Sequence, residues 1–100
     1  MPRNPDLSDL EDAVCDERTF MSFLGALAEE RMLDEAQEAK NPSSPYGPSR
    51  AGWEHSTIGN YLSAASAWAE SSIDGIPLMP KETNPWKRMA QILHAGKIYE

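Results

Sequence analysis

Cysteine is nearly absent from this 100-residue chain, and long apolar runs are missing altogether. Cys15 is the only thiol, so no internal disulfide can form and nothing marks the chain for an oxidising compartment. Because Cys15 follows Val14 in an apolar turn, we expect a buried, inert thiol. No stretch suits a signal peptide or is long enough to cross a bilayer. The sequence therefore predicts a cytoplasmic protein with no membrane partner.

Basic residues are also scarce: nine lysines and arginines face sixteen acidic residues, and the net charge is −7. Residues 1–40 carry eleven of the acids and four of the bases, so this segment accounts for the whole net charge. Nucleic acids bind basic surfaces, and we therefore predict no nucleic-acid partner. The acidic segment is typical of a solvated helix face, and it would also suit a basic protein partner.

No familiar catalytic or metal-binding pattern occurs in the sequence. The chain has two histidines, His55 and His94, but no HExxH motif, no paired cysteines and no serine elbow. It also lacks a glycine-rich phosphate loop followed by lysine. Four acids at 29, 30, 34 and 35 resemble a helical di-metal site, but the Glu-x-x-His partners are missing. We predict no catalytic residue, no metal and no cofactor, and the pattern favours a protein that is not an enzyme.

What the sequence does contain is a series of helical patterns in one domain over residues 1–100. The proline-containing start, residues 1–6, is expected to be loose. Ser8 and Glu11 have the spacing of a capping box, which predicts a short helix over residues 9–15.

A long helix is predicted from Glu17 to the high thirties. Asp16 can cap it, and an apolar stripe from Phe20 to Leu27 follows at helical spacing. One continuous helix from residue 9 is the alternative. The polar end of the long helix, residues 32–40, is expected to extend into solvent or to meet a partner.

Residues 41–52 are rich in proline, glycine and serine, which predicts a loop between helices. Ser56 or Thr57 can cap the next helix, whose apolar positions begin at Ile58. The small residues at 63–67 would let a neighbouring backbone approach closely. We therefore expect this to be the central and most enclosed helix.

The last helix is predicted to follow Asn84, which can cap it, with Pro85 at its first position. We expect the other helices to pack on it. The fold class is then all-α, a small bundle of three main helices plus a short N-terminal helix, joined by Pro/Gly-rich loops. If the last two helices run antiparallel, Trp68 and Trp86 should meet at one end of the bundle.

Residues 53–100 also contain a distinctive pattern, W-E-x-x-T-[IL], then W, then N-P-W and a closing Y-E. It is carried by Trp53-Glu54, Thr57-Ile58, Tyr61-Leu62, Ala65, Trp68, Asn84-Pro85-Trp86, Ala90, Leu93, Ala95, Lys97 and Tyr99-Glu100. This pattern resembles that of a family of small acidic bacterial proteins, a domain of unknown function. The chain departs from it at His55 and Ser63, where the family has Asn and Glu. The resemblance implies a bacterial cytoplasmic protein and brings no activity and no functional residue.

The candidate binding residues predicted from the sequence are mainly aromatic. Glu54 is expected to cap the central helix or to pair with Lys87 or Arg88. The closing Tyr99-Glu100 is expected to hold the chain end against Arg50 or Arg88. Tryptophan is frequent both in small cores and in binding sites. The predicted site consists of Trp53, Glu54, Trp68, Trp86 and Tyr99.

Three functions fit these observations. The leading hypothesis is a non-enzymatic cytoplasmic protein-interaction module, an adaptor or an immunity-like inhibitor, that uses the acidic N-terminal helix and an aromatic end of the bundle. The first alternative is a small-molecule-binding protein or an unrecognised enzyme with a pocket near Trp53, Trp68 and Trp86. The second is a self-associating homodimer.

Overall fold

The computed structural model describes residues 6–77 and 80–99. In that part of the chain there are four α-helices: α1 (Leu7–Asp12), α2 (Glu17–Lys40), α3 (Ile58–Ser71) and α4 (Pro85–Ile98). The predicted all-α fold, with three main helices and a short N-terminal one, is confirmed. None of these helices combines the length and the apolar character needed to cross a bilayer. Of the predicted loose start over residues 1–6, residues 1–5 lie outside the described residues, as does the contact expected of Glu100, while Asp6 caps α1.

The first helix begins earlier than the sequence pattern indicates. Asp6 accepts a hydrogen bond from the Asp9 N–H at 2.9 Å, and the Asp9 side chain accepts one from the Asp6 N–H at 3.3 Å. This capping box places the start of α1 at Leu7. The prediction of a Ser8 cap is therefore wrong, because the capping box of Asp6 and Asp9 starts the helix before Ser8.

A cap at Asp16 separates α1 from α2, as predicted. Asp16 accepts the Thr19 N–H at 2.9 Å, and the Thr19 hydroxyl accepts the N–H groups of Cys15 and Asp16. The alternative of one continuous helix is thereby excluded. The same turn directs Val14 inward, where it is fully buried, and leaves Cys15 exposed. The prediction of a buried thiol is wrong, because only one of the two neighbours can face the core.

α4 is the centre of the bundle, as predicted: it packs against α1, α2 and α3, whereas α3 packs on α4 alone. The Asn84 side chain accepts the N–H groups of Trp86 and Lys87, and Pro85 takes the first helical position. The Asn84 amide also donates to the Cys15 carbonyl at 2.9 Å, which ties the start of α4 to the α1–α2 turn.

α3 is not the central helix, and that prediction is wrong. Its buried residues are Ala64 and Ala65, while Ile58 is 79% exposed and Leu62 is 54% exposed. The small residues do allow close approach, but on one side only. A Cβ at Gly96 of α4 would lie 2.9 Å from the Ala65 Cβ and 3.2 Å from the Tyr61 carbonyl oxygen.

The core lies where α1, α2 and α4 meet. Phe23 and Val14 are its largest fully buried side chains. The Phe23 ring packs against His94 of α4, with ring centroids 5.8 Å apart. His94 in turn contacts α1, because its Nδ1 lies 3.0 Å from the Glu11 carboxylate. The core therefore occupies one side of α4, and α3 lies on another.

Candidate functional site

An open groove separates α2 from α3. These two helices do not pack against each other, because α4 lies between them and contacts both. The groove contains an apolar pocket of about 260 Å³. Its apolar lining comes from all three helices and the segment before α3: Leu24, Leu27, Ala28, Trp53, Ile58, Tyr61 and Leu93.

The groove continues along the exposed faces of α2 and α3. On α2, Leu24 is 43% exposed, and helical spacing places exposed Met21 on the same face. On α3, exposed Leu62 follows Ile58 by one turn. A patch of large apolar side chains on two facing helices is unusual for a surface that meets only water, and it indicates an interaction site.

Trp53 forms the buried end of the pocket. Its indole N–H donates to the Glu30 carboxylate at 3.0 Å. Its ring packs against Tyr61, with centroids 5.6 Å apart, and lies near the Arg31 and Lys97 cations. Lys97 also pairs with Glu30 at 2.6 Å. The indole is therefore held from α2 and α4 together.

Carboxylates from the polar end of α2 hold the loop that carries Trp53. Asp34, only 4% exposed, accepts hydrogen bonds from the Ser49 hydroxyl and from the Ala51 N–H at 3.0 Å. The Ser49 hydroxyl accepts the Trp53 N–H at 3.0 Å. Gly52 completes the bend with a φ of 88°, a conformation that favours glycine. The expectation that this end of α2 extends into solvent is thus wrong for Asp34, because the loop folds back over it.

Glu38 binds both ends of the same loop, at Ser43 and at Arg50. It accepts the Ser43 N–H at 2.7 Å, the Ser43 hydroxyl at 2.6 Å and the Arg50 N–H at 2.7 Å. These bonds favour the charged carboxylate and lower the pKa of Glu38 from 4.5 to about 2. Both Asp34 and Glu38 were missed as structural residues, because an acidic helix end looks the same in sequence whether or not a loop covers it.

A second, more polar hollow of about 500 Å³ adjoins the apolar pocket, and we call it the acidic hollow. Its wall includes the exposed carboxylates of Glu35 and Glu54. The only basic side chain in that wall, among the described residues, is Arg31, which pairs with Asp34 at 2.8 Å and with Glu35 at 3.1 Å. The pocket and the acidic hollow share four residues: Arg31, Glu35, Trp53 and Ser56.

Polar groups at the entrance of the pocket come from the segment before α3 and from α3 itself. The Tyr61 hydroxyl donates to the Leu93 carbonyl at 2.6 Å, and burial raises the pKa of Tyr61. His55 Nε2 lies 2.6 Å from the Tyr99 carbonyl oxygen. Thr57 caps α3 by accepting the Asn60 N–H at 3.1 Å. The Tyr61 hydroxyl and the His55 imidazole thus hold α3 and the segment before it on α4, through the Leu93 and Tyr99 carbonyls. In the described part of the chain, no three His, Cys, Asp or Glu side chains are grouped to hold a metal ion.

The five residues predicted as a site do not share one pocket. Trp53 borders both the pocket and the acidic hollow, and Glu54 borders the acidic hollow. Trp68 packs on the Arg88 guanidinium at 5.1 Å, and Trp86 packs on Phe20 of α2 with ring centroids 5.8 Å apart. The Tyr99 hydroxyl lies 3.3 Å from the Ser71 hydroxyl.

The expected contact between Trp68 and Trp86 is absent from the aromatic contacts of the described residues. The two helices do run antiparallel, since Arg88 near the start of α4 donates to the Ala69 carbonyl near the end of α3. Trp68 faces α4, but Trp86 points from α4 towards α2, so the rings diverge.

Glu54 does not cap α3, because Thr57 does. Its N–H donates to the Lys97 carbonyl at 2.9 Å, while its residue is exposed at the acidic hollow. Sequence reasoning missed Leu24, Ile58 and Leu93 as groove residues. Their helical spacing is equally typical of a helix face that is buried in the core. The groove becomes visible only in the tertiary structure, where α2 and α3 do not pack against each other.

The sequence model of a family of unknown function, DUF7660, matches residues 16–100. The chain belongs to this family. The match begins at the Asp16 cap and includes α2, α3 and α4, and therefore every helix that borders the groove. No curated protein and no solved structure matches the chain.

Proposed function

We propose that this DUF7660 protein is a non-enzymatic protein-interaction module of the bacterial cytoplasm, an adaptor or an immunity-like inhibitor, that binds an amphipathic helix of a basic partner. The observation that carries the proposal is the apolar groove between α2 and α3. Helix-in-groove recognition places an apolar helix face against such a surface.

The arrangement of the helices favours a helical occupant. α2 and α3 form the two walls, and α4 with Leu93 forms the base. A helix laid between the walls would complete a four-helix arrangement and would cover Leu24 and Ile58. Burial of these side chains, 43% and 79% exposed in the free chain, would supply the main favourable free energy.

The charge of the partner follows from the acids that remain available at the surface. Many acids of residues 1–40 already bind groups within the chain, as Glu30, Asp34 and Glu38 do. Glu54 stays exposed beside the groove, as does Glu35, which pairs with Arg31 at 3.1 Å, and the net charge of the chain is −7. We therefore expect apolar contacts to dominate the affinity, and electrostatic attraction to add a salt-dependent part.

The test compares capture of partner proteins from a bacterial lysate by the wild type and by two charge variants, at low and at high salt. Leu24→Glu places a charge on the groove wall, and we expect it to abolish capture of the specific partner. Leu33→Glu is the matched control, because Leu33 is 61% exposed on the opposite flank of α2 beside Arg50. Circular dichroism establishes that both variants fold. A partner retained equally by both variants would refute the groove as the binding site.

A second copy of the chain is the competing occupant of the same groove. Sedimentation of the free protein over a wide concentration range distinguishes self-association from binding of a partner helix. We expect a monomer for the wild type and for Leu24→Glu. A wild-type dimer that Leu24→Glu dissociates would assign the groove to self-association and overturn the proposal.

A further inference from the structure

We infer that the groove recognises a protein segment carrying an aromatic side chain and, about one helical turn away, a basic side chain. This inference rests on the proposed function and specifies the chemistry of the partner. The structure supplies two adjoining volumes of different character: the apolar pocket and the acidic hollow.

The size and lining of the pocket suit one aromatic ring. A buried apolar cavity of about 150 Å³ is large enough to hold benzene. The pocket here has about 260 Å³ and is lined by Leu27, Trp53, Tyr61 and Leu93. It therefore has room for a ring as large as indole. The Trp53 and Tyr61 rings at its wall offer aromatic contacts to such a group.

The acidic hollow suits a cation. Glu35 belongs to both volumes, so a charged group can reach it while an attached ring occupies the pocket. The Arg31 charge, which pairs with Asp34 and Glu35, does not reverse this preference, because three carboxylates, Glu35, Glu38 and Glu54, line the acidic hollow against this one cation of the described residues. Exposed Glu54 adds a further negative charge to the same wall. A ligand with a carboxylate in place of the cation would be repelled.

The spacing follows from the way the volumes adjoin. On a helix, side chains three or four residues apart point to the same face, with Cβ atoms roughly 5–6 Å apart. This separation suits neighbouring volumes that share Glu35 and Trp53. An aromatic residue and a Lys or Arg three or four residues away on the same helix face therefore match the pocket and the acidic hollow.

Three small probes test the chemistry on the intact protein: indole, tryptamine and indole-3-propionate. Binding is followed by NMR through the methyl signals of Leu24, Leu27, Ile58 and Leu93. We expect all three to shift these signals, and tryptamine to bind about three- to ten-fold more tightly than indole-3-propionate at low salt. Equal affinity of the cation and the carboxylate, or shifts located elsewhere on the protein, would overturn the inference.

Variants test which carboxylates cause the preference for tryptamine. The double change Glu35→Gln and Glu54→Gln should abolish the preference for tryptamine while indole still binds. Leu33→Glu, on the other flank of α2, should leave the preference unchanged. A preference that persists in the double variant would contradict the role of the acidic hollow.

A helical peptide distinguishes a protein segment from a free aromatic amine. An alanine-rich peptide with one Trp and an Arg four residues later should bind at least about ten-fold more tightly than tryptamine, because it also covers Leu24 and Ile58. Its Trp→Ala and Arg→Glu versions should bind more weakly. If tryptamine binds and the peptide does not outcompete it, the protein-segment inference fails. If no probe binds but Leu24→Glu still abolishes partner capture, the inference fails and the proposed function stands.

Discussion

Gly96 shows how a single small residue sets the distance between two helices. It lies on the face of α4 that meets α3, opposite Ala65 and the Tyr61 backbone. The helix pair can approach this closely because neither side presents a long side chain there. The contact holds α3 on α4 and, through Tyr61, forms one wall of the groove.

Gly96→Ala should therefore destabilise the protein. The added Cβ would lie 2.9 Å from the Ala65 Cβ and 3.2 Å from a backbone oxygen, and backbone cannot rotate away. We expect the free energy of unfolding to fall by about 1–2 kcal/mol in urea denaturation, despite the better helix propensity of alanine.

Gly25→Ala is the control, because it also replaces a glycine inside a helix but meets nothing within 4 Å. It should raise the free energy of unfolding by about 0.5–1 kcal/mol. A similar gain for Gly96→Ala would show that α3 and α4 are not packed as closely as described.

The loop between α2 and α3 is ordered by the helix that precedes it. Glu38 binds Ser43 and Arg50, and Asp34 binds Ser49 and Ala51, so a proline-rich segment is fastened at both ends. These hydrogen bonds place Trp53 at the pocket. Asp34 and Glu38 thus determine the shape of the groove without lining its apolar pocket.

Ser43→Ala tests the fastening through the pKa of Glu38. Loss of the Ser43 hydroxyl should raise that pKa from about 2 towards 4.5, which carboxyl-carbon NMR measures directly as a function of pH. Ser44→Ala is the control, since the Ser44 hydroxyl bonds Tyr46 rather than Glu38. Identical titration in both variants would mean that Ser43 does not bind Glu38.

The sign of the pH effect follows from the lowered pKa. The Glu38 bonds stabilise the folded state fully above pH 4.5, and this stabilisation is lost as the pH falls towards about 2. In Ser43→Ala the two pKa values lie closer together. The free energy of unfolding should therefore decrease less between pH 4.5 and 2 than in the wild type.

The fold as a whole assigns different tasks to different sides of α4. One side builds the core with α1 and α2, through Val14, Phe23 and His94. Another side carries α3, and the space between α2 and α3 is the groove. Leu27 and Trp53 belong to both the core and the groove, whereas Val14 and Phe23 contribute to stability without lining the groove.

Val14→Ala should lower the stability of the fold without changing binding in the groove. Val14 is fully buried on the core side, so its truncation should lower the free energy of unfolding by about 1–3 kcal/mol. Binding of tryptamine, measured well below the unfolding transition, should not change, because Val14 does not line the groove. Weaker tryptamine binding in folded Val14→Ala would show that core and groove are coupled.

Local chemistry accounts for the features that the sequence predicted well. Asp16, Thr57 and Asn84 each cap a helix by bonding N–H groups two or three residues further along the chain. Such interactions depend on neighbours alone, so the separation of α1 from α2 and the start of α4 were predictable. The start of α1 was predicted wrongly, because the spacing of Ser8 and Glu11 also fits a capping box, whereas Asp6 and Asp9 form the one observed.

Long-range packing decided the rest. Ile58 and Leu62 have the spacing of a core face, yet the core does not reach them, because α4 holds α2 and α3 apart. Glu30 binds Lys97, which lies 67 residues away, and nothing in the acidic segment indicates this. Helical periodicity can be read from one segment alone, whereas the burial of a side chain depends on how several segments pack together. The amino-acid sequence thus determined the three main helices and their caps, and only the tertiary structure decided which apolar faces stay open as a groove.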